Sequence, residues 1–256
     1  MKQPLSKYAT LLDTAVVEAR PVQQLNFQED LSLAQAYEIQ AQAISKRLER
    51  GENMTGIKLG FTSKAKMEQM GVQDQVWGRL THEMELFNGG DLVLGNYIHP
   101  RAEPEIAFKL GRDIHGVPSP EEIRDCLSGV AVAIEVIDSR YQNFRFSLEL
   151  IVADNCSSAG YVLGDWKDPQ ADVADIRMDM SLNSEIVESG NSNAILGNPL
   201  ASLNVAFRLA DQYGFSLKKD MLILAGAVTP AIALQQGDQI TVNAEHLGSV
   251  SLNVIG

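Results

Sequence analysis

The apolar run GVAVAIEVI at residues 129–137 restricts this chain more than any other feature of its sequence. A continuous stretch of this kind suits a strand buried on both faces, which needs other structure packed on each side of it. Glu135 stands inside the run. A lone carboxylate in such a strand costs on the order of several kcal/mol unless it is paired or bound to a metal. Two readings follow: a plain ion pair with Arg101, Lys109 or Arg140, or convergence with other acids on one cation.

Glu103-Pro104-Glu105, leading directly into Ile106-Ala107-Phe108, supplies such acids. In an extended segment residues i and i+2 share a face, so the two carboxylates point the same way and repel unless something positive lies between them. A solvated acidic turn is the plain alternative. If Glu103, Glu105 and Glu135 meet, they form a hard all-oxygen donor set, which selects Mg²⁺ or Mn²⁺ over zinc and leaves positions for water or a chelating α-keto acid. His82-Glu83-Met84-Glu85 offers a second acidic pair, but it runs into the turn signal Asn88-Gly89-Gly90 and reads as a solvated loop.

GIKLGFTS at residues 56–63 sets Lys58 among apolar neighbours and follows it with Thr62 and Ser63, without the order of a phosphate-binding loop. Lys58 either snorkels to the surface or, beside a metal, orients a substrate carboxylate or moves a proton at a lowered pKa. In LELIVADNCSSAG at residues 148–160 an apolar strand leads into Asp154, Asn155, Ser157 and Ser158, which serve as caps or line a pocket. Cys156 has no neighbouring histidine, and the four histidines show no metal-ligand spacing.

Helices are expected from a capping box at Ser32 to Gln35, from Ser119-Pro120-Glu121-Glu122 up to Gly129, and over residues 202–213 ahead of Gly214. Short strands are expected at residues 92–94, 106–110, 130–137, 180–182, 221–224, 240–242 and 250–255. Helices and strands do not alternate as βαβ units require, so the fold class is α+β, in one domain over residues 1–256. A helical part occupies about residues 1–75 and a β-rich body residues 76–256. The net charge of −12 disfavours nucleic acid and anionic membranes as partners. Two cysteines, no apolar leader near the N-terminus, and no apolar run long enough for a bilayer point to the cytoplasm.

GIKLGFTSKAKMEQMGV (56–72), HPRAEPEIAF (99–108), EVIDSRYQNFRF (135–146), VADNCSS (152–158) and the GDQITV and LGSVS segments near the C-terminus resemble the 2-oxopent-4-enoate hydratase and 4-oxalocrotonate decarboxylase family of the fumarylacetoacetate hydrolase superfamily. The resemblance implies a mixed β-roll with magnesium, or manganese, on Glu103, Glu105 and Glu135. It also implies that Lys58 works beside the metal, with Thr62, Ser63, Val76, Asn155 and Ser157 around the substrate. Hydratases of this family typically carry an acidic residue before an aromatic-Gly pair, where this chain has Val76-Trp77-Gly78. The implied reaction is therefore decarboxylation of an unsaturated oxo-dicarboxylate, 4-oxalocrotonate, in meta-cleavage degradation of aromatic compounds. Hydration of 2-hydroxypenta-2,4-dienoate is the alternative. A homo-oligomer and a complex with a hydratase partner are implied in the same way.

Overall fold

The computed structural model describes residues 4–24, 31–63, 67–68 and 74–256. Helices α1 (Leu5–Glu18) and α2 (Leu33–Glu49) pack on each other at the N-terminus. The expected capping box starts α2, with the Ser32 hydroxyl accepting from Gln35 N and the Gln35 side chain accepting from Ser32 N. The chain then enters β1 (Met54–Gly60), β2 (Val76–Thr81), β3 (Glu85–Leu86), β4 (Asp91–Val93), β5 (Arg101–Leu110) and β6 (Leu127–Ile137). Helix α3 (Leu148–Ala153), β7 (Ser158–Leu163), β8 (Arg177–Leu182), β9 (Glu185–Asn191) and α4 (Leu200–Gln212) follow. Strands β10 (Leu222–Ala227), β11 (Ile232–Ala233), β12 (Gln239–Ala244) and β13 (Gly248–Ile255) complete the chain.

Among the described residues the strands form two sheets. The larger runs β2-β1-β10-β5-β6-β7-β3, with β11 on the start of β5, and the smaller runs β4-β13-β12-β8-β9. This is the mixed α+β roll that the sequence led us to expect. Strand β6 lies between β5 and β7 and is covered by β12 and β13 of the smaller sheet, which explains its unbroken apolar run. Helix α3 covers β2, and α4 covers β1 and β10. No helix among the described residues is long and apolar enough to cross a membrane.

Three expectations are corrected. The helix expected after Ser119 is two 3-10 turns, Pro120–Glu122 and Arg124–Cys126. Its capping contact from Ser119 N to Glu122 forms, but β6 draws the chain into the sheet at Leu127 before a full helix can grow. Residues 148–153, read as a strand, are helix α3, begun by the Ser147 hydroxyl accepting from Leu150 N. A short apolar run does not separate the two states by period. The N-terminal part is not helical throughout, since β1 inserts between β2 and β10 of the main sheet.

Candidate metal centre and active site

Antiparallel pairing of β5 with β6 sets Glu103 opposite Glu135 and Glu105 opposite Ala133. The pleat turns Glu103 and Glu105 to one face, and the register brings Glu135 to them. All three are buried, at 5%, 0% and 0% exposure, and one carboxylate oxygen from each lies within 4.8 Å of the others. Strand β10 closes the site from the other side of β5, where an irregularity between Leu224 and Ala227 turns Gly226 N toward Glu105 Oε2 at 2.8 Å. A Cβ on Gly226 would lie 1.9 Å from Thr62 Oγ1, and its φ of +113° disfavours any other residue, so this close approach requires glycine.

Glu105 Oε1 and Glu135 Oε1 are fully buried without a hydrogen-bond partner. Burial raises the Glu105 pKa well above the carboxylate range, and the charge on Glu135 raises it further. Burial also raises Glu135, against the pull of Lys58. Buried, mutually repelling, all-oxygen donors, two of them with an unpartnered oxygen, fit a hard divalent cation, as the sequence suggested. The exposed Glu83 and Glu85 lie outside this cluster.

Lys58 neither snorkels to the surface nor has a lowered pKa. Its side chain is buried, with Nζ 3.0 Å from Glu135 Oε2 and donating to the carbonyl of Cys156 at 3.2 Å. Burial lowers the ammonium's pKa, but Glu135 overrides this with help from the other acids, so the group is held protonated above its ordinary value. The ion-pair reading of Glu135 therefore has Lys58 as its cation. Arg140, a candidate for that role, pairs with Asp154 instead.

The carbonyl that Lys58 meets belongs to a strained turn. Asn155, Cys156 and Ser157 have φ of 50°, 51° and 59°, a left-handed run rare outside glycine. Asn155 holds it in place: its Oδ1 accepts from Arg79 N at 2.7 Å and its Nδ2 donates to Arg79 O at 2.9 Å, docking the turn on β2. The docking needs Gly78, where a Cβ would lie 2.4 Å from the Asn155 carbonyl. Arg140 ties down the other end through Asp154 and through the carbonyls of Asp138 and Ser158. Asn155 thus shapes the site and does not line the cavity, where the sequence reading had placed it. Burial pushes the Cys156 thiol up to about 12, which makes it no nucleophile.

A cavity of about 370 Å³ opens beside the cluster and is lined by Lys58, Thr62, Ser63, Val76, Glu103 and Ser157. Its volume falls within the usual range for small-molecule sites. Ser157 Oγ is buried without a hydrogen-bond partner among the described residues. Among the further lining residues that the sequence reading did not name as pocket groups are Arg101, Ile137, Phe144, Phe146 and Ile151. Arg101 precedes Glu103 by two on one strand and shares its face, a signal that was available. The aromatic pair comes from a loop without periodicity, so no pattern announced it.

The comparisons with known proteins agree with this geometry. Residues 83–255 match the fumarylacetoacetate (FAA) hydrolase C-terminal family. A 4-oxalocrotonate decarboxylase from a Pseudomonas species is 45% identical over 252 residues, 98% of each chain. 2-Keto-4-pentenoate hydratase 2 of Dechloromonas aromatica (strain RCB) is 34% identical over 254 residues, 95% of this chain and 94% of its own. Among solved structures, 4-oxalocrotonate decarboxylase from Pseudomonas putida G7, complexed with magnesium and adipate, superposes with a TM-score of 0.94 at 32% identity, covering 98% of this chain and 97% of that one. On both sequence and structure, this chain belongs to the fumarylacetoacetate hydrolase family.

Proposed function

We propose that the protein decarboxylates 4-oxalocrotonate to 2-hydroxypenta-2,4-dienoate with a divalent cation, Mg²⁺ or Mn²⁺, held by Glu103, Glu105 and Glu135. The observation that carries this reading is the convergence of three buried carboxylates, two of them with an oxygen that has no hydrogen-bond partner, beside a cavity walled in part by apolar residues such as Val76, which is 2% exposed. The relatives named decarboxylase support the same branch, at 45% and 36% identity over 98% and 95% of this chain.

A cation bound by the trio would supply Lewis-acid chemistry, drawing electron density toward the C2 oxygen of the substrate. The distal carboxylate leaves as CO₂ when the C5–C6 bond breaks. Its electron pair forms the C4–C5 double bond, the C3–C4 pair moves to C2–C3, charge collects on the C2 oxygen, and that oxygen takes a proton from water to give 2-hydroxypenta-2,4-dienoate. Lys58, aimed by Glu135 and the Cys156 carbonyl, stabilises that charge where it develops. Ser157 Oγ offers a hydroxyl to the bound substrate. Val76, Ile137, Phe146 and Ile151 keep the cavity around the chain of the substrate apolar, which favours a step that converts a carboxylate into neutral CO₂.

The hydratase reading uses the same trio, and several relatives carry that name. It needs a group that delivers water, and Val76 has none to offer. Val76→Asp tests the branch. A carboxylate there would repel the distal carboxylate of the substrate by up to a few kcal/mol at protein-like dielectric, so kcat/KM for decarboxylation should fall by about a hundredfold. Turnover is followed as CO₂ release, alongside a thermal melt. A folded variant with an unchanged decarboxylation rate would remove Val76 from the account.

A further inference from the structure

The three glutamates and Lys58 leave the far end of the substrate without a charged partner, and the cavity holds a candidate. Arg101 lines it at the start of β5, two residues before Glu103 and on the same face. Lys58 is compensated by Glu135, but among the described residues Arg101 has no carboxylate within ion-pair distance and no hydrogen-bond acceptor. Its guanidinium instead lies over the ring of Phe144, 4.3 Å from the centroid. A stacked guanidinium uses its face and leaves its edge N–H groups free, the arrangement that receives a carboxylate in bidentate fashion.

Phe144 is set in place with some strain. Asn143 and Phe144 both have left-handed backbones, φ 60° and 55°, and the ring is also flanked by His99 and Phe146 at 5.0 and 5.9 Å. Two consecutive non-glycine residues in this region are strained, and such strain gathers at ligand clamps. The spacing fits as well. Residues two apart on a strand are about 7 Å apart, and the carboxyl carbons of an extended six-carbon dicarboxylate are about 6 Å apart. With the oxo-acid end toward the three glutamates, the distal carboxylate falls in the neighbourhood of Arg101.

We propose that Arg101, stacked on Phe144, is the site that recognises the distal carboxylate and so selects dicarboxylates over monocarboxylates. The assignment rests on the decarboxylase reading for the direction in which substrate lies. It has a consequence for turnover. The reaction removes the very charge that Arg101 binds, so the contact favours binding of the dicarboxylate substrate and not of the monocarboxylate product. Substrate is retained and product is released by one residue.

The test titrates the magnesium-loaded protein with adipate and with hexanoate, which differ only in the second carboxylate, in the wild type and in Arg101→Gln. A charge-assisted bidentate contact is worth roughly 1.5 to 3 kcal/mol, which corresponds to about a ten- to hundredfold preference for adipate in the wild type. Arg101→Gln should bring that preference close to unity while hexanoate binding stays within about threefold, and Phe144→Leu should reduce it in part. In turnover of 4-oxalocrotonate the loss should fall on KM and not on kcat. A wild type without preference, or a folded Arg101→Gln that keeps it, would overturn the assignment. Wild-type decarboxylation is measured on the same preparation: its absence would count against the function, and its presence with an unaltered preference in Arg101→Gln would count against Arg101 alone.

Discussion

Glu135→Gln is expected to lower turnover of 4-oxalocrotonate by about a thousandfold or more, because it removes one of three carboxylates from the cation site and with it several kcal/mol of charge stabilisation. The fold should survive. Glu135 is fully buried beside Glu105 and Glu103, so a neutral isostere lessens the like-charge repulsion that raises Glu105. The melting temperature in EDTA should therefore be no more than a few degrees below that of the wild type. Steady-state kinetics over a magnesium titration, paired with that melt, check both statements. A folded variant with wild-type activity at ordinary magnesium would take Glu135 out of the ligand set.

Lys58→Met should cost about a hundred- to a thousandfold in kcat, the usual effect of removing one donor to a developing oxyanion. Its signature differs from that of Glu135→Gln. Lys58 touches Glu135 but supplies no ligand atom, so magnesium affinity by calorimetry should be retained or increased while kcat falls. Loss of that ammonium also leaves the three carboxylates without Lys58 as a counter-charge, so the variant's melting temperature should depend on added magnesium more steeply than the wild type's. Unchanged kcat would reduce Lys58 to a counter-ion.

Much of this site was legible before the structure. The acidic pair at Glu103 and Glu105 follows from the period of a strand, and the misfit of Glu135 within an apolar run called for a partner. What the sequence could not supply was register: only the pairing of Glu103 with Glu135 across β5 and β6 turns three acids into one donor set. Lys58 was ambiguous for a related reason. Its ion pair and its carbonyl contact join β1 to β6 and to a turn some hundred residues away, and such contacts leave no local trace. Asn155 had the right location and the wrong task, since its amide is spent on the backbone of β2. Helix α3 was misread because its apolar run is too short for a period to show. The loop with Phe144 and Phe146 belongs to a motif of the resemblance but shows no hydrophobic period, and its left-handed turn at Asn143 and Phe144 could not be read from spacing.

The most direct measurement is CO₂ release from 4-oxalocrotonate by the purified protein with Mg²⁺, after chelation by EDTA, and after Mg²⁺ is restored. The account predicts release that EDTA abolishes and Mg²⁺ or Mn²⁺ recovers, with 2-hydroxypenta-2,4-dienoate formed in equal amount. Release that persists unchanged in EDTA, or no release with either metal, would contradict it.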